Sequence, residues 1–321
     1  MVIGQLLAKV ESMDNQTDQK EKLTFGIMLG LFPPWSRMVE QAKMVEALGF
    51  DKLWLPDHFV NPEDRDMGWF ECWTTLSALA VHTNSIKIGT LVSSMTLRNP
   101  ALLARMAVAV DHISSGRLEL GVGAAGARNC HSMTGVPRWN PLERSERYRE
   151  FVEIIHQMLN GEVTTYQGKY FNIQEAMLNP GPVTKPRPVL NVAAHGPKAI
   201  RLAAQLGDAW NCFYPGKDLT PKQSSDITRH RYERFCESAF EFGRNPEQIG
   251  RTFGFGWTSD GLFRSMEAFY DAIGRYREAG ITDFCFVYAP GFENWKDRAV
   301  TTEDFLLRIA HEALPALRDS N

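Results

Sequence analysis

The sequence is poor in the features that mark several large protein classes. Its 321 residues hold five cysteines, Cys72, Cys130, Cys212, Cys236 and Cys285, with no C-x-x-C pair. That argues for reduced thiols, and against a disulfide framework or a zinc site. No H-x-H or H-E-x-x-H spacing occurs, so a metal-dependent hydrolase has no recognisable ligand set and no metal is expected. No apolar run approaches the roughly 18 residues of a membrane span. The net charge is −3, too small to draw in nucleic acid or an anionic membrane. Residues 1–22 carry no basic residue ahead of their short apolar part and no small-residue cleavage site. They read as a flexible arm, not a signal peptide, and the expected location is the cytoplasm.

The pattern of residues 23–321 is that of a single domain of alternating strands and helices. The clearest unit runs from Ile86 to Gly126: an apolar run to Val92, a helix opening at Pro100, and a second run, Leu118 to Val122, that ends in glycine. Continuous apolar runs suit strands of a parallel sheet covered on both faces. Before it lie strands at Leu23–Leu29 and Lys52–Pro56, with helices ending near Leu48 and His82. After it come a loop from Gly123 to Asn140 and a charged helix from Leu142 to Leu159. An excursion between Asn160 and Pro188 contains a hairpin around Gln167 and Gly168. Strands at Val189–Ala194, Asp208–Phe213, Thr252–Thr258 and Asp283–Ala289 then alternate with helices at Pro197–Leu206, up to Phe242, Met266–Ala279 and Thr302–Leu314. Eight such units predict an α/β fold, a (β/α)8 TIM barrel with an insertion between helix 4 and strand 5, ahead of a doubly wound open sheet. The chemistry of such a barrel lies at the C-terminal ends of its strands.

Those ends carry the candidate residues. Ser93, Ser94, Thr96 and Arg98 follow the third strand. Gly121 to Gly126 matches G-x-G-x-x-G, but a long loop follows where the dinucleotide fingerprint needs a helix. What survives is a small-residue loop that a ligand can approach closely. Asp57 and His58 follow the second strand. Histidine titrates near the working pH of general acid–base catalysis, and Asp57 could orient it or bind a ligand hydroxyl. Trp69 and Glu71 are weaker candidates on the same loop. At Ala194-His195-Gly196-Pro197-Lys198 a strand turns into a helix whose free N–H groups suit an anion. The run Glu143 to Glu150 reads as a solvated helix face with pairs such as Glu143–Arg147 and Glu146–Arg149. Trp69, Met95, His131, Met133, Trp139, Phe213, Tyr214 and Tyr288 suggest an aromatic or apolar pocket at the mouth.

The segments LWLPDHF, WTTLSALAVHT, IKIGTLVSS, RNPALLARMAVAVDHISSGRLELGVGAAG, YQGKYF and AAHGPKAIRLAAQLGDAW together resemble the bacterial luciferase-like family of flavin- and coenzyme F420-dependent oxidoreductases. The resemblance runs from about Leu23 to Tyr288. It implies a (β/α)8 barrel, a reduced flavin-type cofactor at the mouth and commonly a homodimer. In F420 enzymes of the family, the D-H-F loop implies Asp57 at the cofactor and His58 beside the reacting centre. A bulge after the third strand, often with a non-prolyl cis peptide, implies Leu91 and Val92 behind the ring and Ser94 in contact with it. The glycine-rich loop implies Ala124, Ala125 and Asn129, and the phosphate turn Gly196 and Pro197. Gly126 stands where some sugar-phosphate dehydrogenases have glutamate, and Asn61 or Pro62 where they have tryptophan, which argues against a sugar phosphate. The histidine pair of luciferase itself is missing. The resemblance thus implies F420-dependent hydride transfer to or from a small organic substrate. The alternatives are a reduced-FMN monooxygenase fed by a separate flavin reductase, and a cofactor-binding barrel without catalysis.

Overall fold

A computed structural model describes residues 22–62, 64–124, 128–213, 216, 218–257, 260–290 and 299–319, without the side chains of residues 128, 129 and 257. The elements run in order β1 (Thr24–Leu29), α1 (Trp35–Ala47), β2 (Lys52–Leu55), α2 (Cys72–His82), β3 (Lys87–Ser94), α3 (Pro100–Ile113), β4 (Leu118–Gly123), α4 (Arg128–Thr134) and α5 (Pro141–Leu159). A hairpin of β5 (Thr164–Gln167) and β6 (Asn172–Ala176) follows, then β7 (Val189–Ala193), α6 (Pro197–Leu206), β8 (Ala209–Phe213), α7 (Pro221–Glu241), β9 (Gly250–Gly254), α8 (Met266–Glu278), β10 (Asp283–Tyr288), β11 (Val300–Thr301), α9 (Glu303–Arg308) and α10 (Leu314–Asp319). Strands β1 to β4 and β7 to β10 pair in parallel in chain order, and β1 closes on β10. This is the expected eight-stranded barrel, with the hairpin as its insertion.

Helix starts follow their sequence signals. Asn99 and Asn140 cap α3 and α5, each with proline at the first turn, and Glu71 caps α2 by accepting from the Trp73 and Thr74 N–H groups. Gly49, at φ +77°, ends α1 in a conformation that suits glycine.

Strand register stacks the inward side chains in layers. At the base, Lys52 Nζ lies 2.9 Å from both Glu119 and Asp283. Burial opposes the Lys52 charge, but the two carboxylates outweigh it and hold its pKa above the ordinary value. Thr252 donates to Asp283 at 2.8 Å and accepts from Asn191 at 3.0 Å. Trp54 fills the next level, so close to Gly26 and Gly89 that a Cβ on either would come within 2.8 Å or 2.6 Å of its ring. The base of the barrel is thus closed.

Four expectations change. The segment after β4 contains α4, whose Cys130 and His131 are buried and whose imidazole sits edge-on to Trp139 at 5.0 Å. Strand β9 stops at Gly254, where its pairing with β10 ends, and continues as a 3₁₀ turn over Phe255–Trp257. The last helix extends beyond Leu314, through a π turn over Ile309–Ala313. Glu150 is not on a solvated face: it is buried and accepts from the Lys169, Tyr170 and Phe171 N–H groups at 2.9, 3.0 and 3.1 Å. It holds the hairpin turn. Glu143 does pair with Arg147, whereas Glu146 takes Lys169 and Tyr170, and Arg149 takes Glu153.

Candidate active site at the barrel mouth

The C-terminal end of β2 delivers Pro56, Asp57 and His58 to the rim. Asp57 is buried and turned inward: its Oδ2 accepts from the Ser94 N–H at 3.0 Å and from Arg98, whose second nitrogen reaches Glu71. Burial lifts the Asp57 carboxyl above its ordinary value, and the Arg98 guanidinium and the Ser94 N–H oppose the rise. The Asp57–Arg98–Glu71 chain clamps the loop after β2 to the ends of β3 and α2. Arg98 stood among the polar residues of the mouth in the sequence, but no spacing rule assigned it to Asp57. His58 is half-buried beside Trp69, with ring centroids 6.5 Å apart, and Trp69 Nε1 donates to the His58 carbonyl at 3.2 Å. Trp69 and Glu71 therefore hold the Asp57–His58 loop.

On β3 the register with β4 shifts between Thr90 and Ser93, and the Leu91–Val92 peptide is cis. Trp73 Nε1 donates to Ser93 Oγ at 3.0 Å, Ser93 to Thr90 Oγ1 at 2.9 Å, and Thr90 to the Gly121 carbonyl at 2.9 Å. These bonds bracket the irregular segment and fix it against β4. The glycines of β4 serve this packing: a Cβ on Gly121 would lie 2.0 Å from the Thr90 carbonyl oxygen, and one on Gly123 would lie 2.3 Å from Val92 Cγ2. Ser94 Oγ and Thr96 Oγ1 are 2.7 Å apart. The Tyr148 hydroxyl lies 2.7 Å from the Val122 carbonyl and 3.1 Å from that of Ala193, tying the ends of β4 and β7 together.

Inside the rim, Met28, Leu91, Val287 and Val300 form an apolar wall with Ala289, each of those four keeping 5 to 8% exposure while Trp54 and Cys285 beneath have none. On β8, Asn211 pairs in register with Ala193 of β7 and Thr252 of β9. Its amide is 1% exposed, and neither its Oδ1 nor its Nδ2 has a partner among the described residues. A buried amide with both its donor and its acceptor unpaired is a group that a polar ligand atom could satisfy.

At the end of β7, Trp210 Nε1 donates to the Ala194 carbonyl at 2.8 Å, and the Phe213 N–H to His195 Nε2 at 3.3 Å. Burial, and next the Arg231 charge, push the His195 pKa down to about 4. The imidazole is neutral at pH 7. Gly196 has open space around its Cα and precedes Pro197 at the start of α6, so the turn can meet an anion.

The remaining expectations divide. Ala124 stands at the end of β4; Ala125, Gly126 and Tyr214 lie outside the described residues, as does the side chain of Asn129. The mouth aromatics do not share one pocket: Met95 and Tyr288 belong to the core, Trp139 packs on His131 and Arg147, and Phe213 packs on His195 at 4.7 Å.

The closed parallel barrel, with a histidine, a buried carboxylate and an anion-ready turn at its mouth, defines the class as a (β/α)8 barrel with a candidate site at the strand C-termini. A family model described as luciferase-like monooxygenase matches residues 3–260, and the chain belongs to this family. An F420-dependent glucose-6-phosphate dehydrogenase of Kineococcus radiotolerans is 30% identical over 242 residues, 72% of this chain and 71% of that protein. A 5,10-methylenetetrahydromethanopterin reductase of Archaeoglobus fulgidus is 36% identical over 186 residues, 57% of this chain; the match spans 52%, about half, of that relative's own length. Among solved structures, an F420-dependent secondary alcohol dehydrogenase in complex with an F420–acetone adduct superposes with a TM-score of 0.77 at 21% identity, covering 93% of this chain and 100% of that one. No helix of the described residues is long and apolar enough to cross a membrane.

Proposed function

We propose that the chain is a coenzyme F420-dependent oxidoreductase that moves a hydride between the deazaflavin and a small organic molecule such as an alcohol or carbonyl compound. The observation that carries this reading is the mouth itself: Asp57, bonded to the Ser94 N–H, brings His58 beside the fixed, irregular end of β3, in a barrel that also holds an apolar wall and a buried, unpaired Asn211 amide. The named relatives that use F420 support it. When bound, the cofactor supplies a two-electron hydride site. Leu91, Val92 and Ser94 would back its ring, Asp57 and Asn211 would meet polar atoms near it, Ala124, Ala125 and Asn129 would border it, and Gly196 and Pro197 would take its phosphate.

The rest of the chemistry belongs to the protein. His58 holds or takes the proton at the substrate oxygen, since a hydride leaving or reaching a carbon must be matched by a proton at the attached oxygen. Asp57, locked by Arg98 and Ser94, positions the loop that carries His58. Met28, Leu91 and Val287 would give the ring an apolar, water-poor backing.

Replacing His58 with Asn tests this division. With alcohols and carbonyl compounds offered as substrates, the variant should lose at least about 100-fold in turnover, in line with general acid–base contributions, with cofactor affinity nearly unchanged. Undiminished turnover would remove His58 from the reaction. A reduced-FMN monooxygenase served by a flavin reductase is the second reading, favoured by a 4-hydroxyprotoasukamycin monooxygenase of Streptomyces nodosus at 28% identity over 71% of the chain. Oxygen uptake coupled to product would distinguish it. A homodimer is the assembly the family resemblance implies, and sedimentation would test it.

A further inference from the structure

Strand β9 leaves the barrel wall early, and a segment from further along the chain takes its place. β9 pairs with β10 only as far as Gly254 beside Cys285, and the chain then turns off through the 3₁₀ turn at Phe255–Trp257. Beyond that point, at Val287 and Tyr288, β10 pairs with β11, whose Val300 and Thr301 run parallel to it. The other edge of β10 is held by β1 up to Tyr288, so β11 lies on the edge that β9 has left. The replacement is fixed in place. The Ala299 N–H donates to the Gly256 carbonyl at 3.3 Å, and Thr301 is fully buried. Thr302 caps α9 by accepting from the Phe305 N–H at 3.2 Å, and the Tyr288 hydroxyl reaches Glu303 in the first turn of α9 at 3.1 Å.

Val300 is in register with Val287 and joins the same apolar cluster, so both side chains are on one face of the strand pair. The apolar wall of the mouth is therefore an arc. It runs from Leu91 on the third barrel strand through Met28 on the first and Val287 on the eighth to Val300, which stands in place of the seventh. In a closed barrel of eight strands the third and the seventh are opposite one another. Leu91 and Val300 are thus the two ends of the arc.

Resting on the reading that a deazaflavin ring lies against Leu91 and Val92, we propose that Val300 is a specificity-determining residue that bounds the hydrocarbon part of the substrate, an uncharged alcohol or ketone. A ring held at the Leu91 end leaves the other end of the arc to the molecule that exchanges hydride with it. Val300 offers that molecule only methyl groups, on which a hydrocarbon group packs and beside which a buried carboxylate or phosphate would stay unpaired. Because β11 is not one of the eight barrel strands, a change at Val300 alters the wall without touching the pairing that closes the barrel.

The test is equilibrium binding of 2-butanone and of acetophenone to the protein carrying oxidised F420, a combination that cannot turn over, read by the change in deazaflavin fluorescence. Wild type, Val300→Ala and Val300→Ile are compared, and the affinity of each for F420 alone is measured in the same way. A single methylene in an apolar pocket changes selectivity by about 10-fold or more. Val300→Ala should therefore raise the preference for acetophenone over 2-butanone about 10-fold and Val300→Ile should lower it, with F420 affinity unchanged within about 2-fold. The ratio of kcat/KM for reduction of the two ketones by reduced F420 should move in the same directions. An unchanged preference in both variants, or a loss of F420 affinity as large as the change in ketone affinity, would overturn the assignment of Val300 and leave the F420 reading intact. So would wild-type protein that binds F420 but neither ketone. No saturable binding of F420 to wild type would overturn the F420 reading itself, and the assignment with it.

Discussion

Replacing Arg98 with Met removes the group that compensates the most deeply buried carboxylate of the mouth. The side chains of Asp57 and Arg98 are only 1% and 9% exposed, so neither charge is solvated in the fold. Breaking such a pair from one side costs about 3 to 5 kcal/mol, because the remaining charge is left buried and unpaired. Glu71, half-exposed and still capping α2, cannot replace the guanidinium. The penalty also depends on pH. Without Arg98, burial raises the folded-state pKa of Asp57 further above its ordinary 3.8. The folded variant then binds a proton that the unfolded chain releases, so its stability falls as pH rises above about 4. Urea unfolding at pH 7 and pH 4.5 measures both effects. The variant should lose about 3 kcal/mol or more at the higher pH, less at the lower, and Asp57→Asn/Arg98→Met should recover most of the loss at pH 7. A loss below about 1 kcal/mol, the size of an exposed pair, or a double variant weaker than the single one, would refute the reasoning.

Glu150→Ala should destabilise the fold by about 3 kcal/mol, because three backbone N–H groups of the hairpin turn lose a charged acceptor at once; thermal unfolding checks this, and a shift no larger than that of a surface alanine would count against the buried role. For His195, with a folded pKa of about 4 against an ordinary 6.5, the imidazole stays neutral in the fold while the unfolded chain takes up a proton. Its contribution is complete above about pH 7 and is lost as pH falls towards 4, by at most about 3 kcal/mol. Stability curves of wild type and His195→Phe should therefore converge or cross on acidification, and parallel curves would exclude His195 as the source.

Much of the barrel was legible because its signals are local. Apolar runs mark strands buried on both faces, and Asn99–Pro100, Asn140–Pro141 and Gly196–Pro197 mark helix starts by capping chemistry. Asp57 and His58 were legible from their place after a strand. The partners of those residues were not, since Arg98 lies 41 residues from Asp57 and no periodicity links them. Glu150 sits in a run of charges that looks solvated, and only the return of the hairpin over α5 buries it. The small-residue loop that opens at Gly123 suggested room for a ligand, whereas the space at Gly123 is taken by Val92 of the neighbouring strand. Val300 carries no motif; the pairing of β11 with β10 brings it to the mouth.

The measurement that bears most directly on the cofactor assignment is a calorimetric titration of the purified protein with F420 and with FMN, each oxidised and reduced. Saturable binding of F420 at least about 10-fold tighter than FMN, a difference of about 1.4 kcal/mol, is the predicted result. Tight binding of reduced FMN with none of F420 would contradict it.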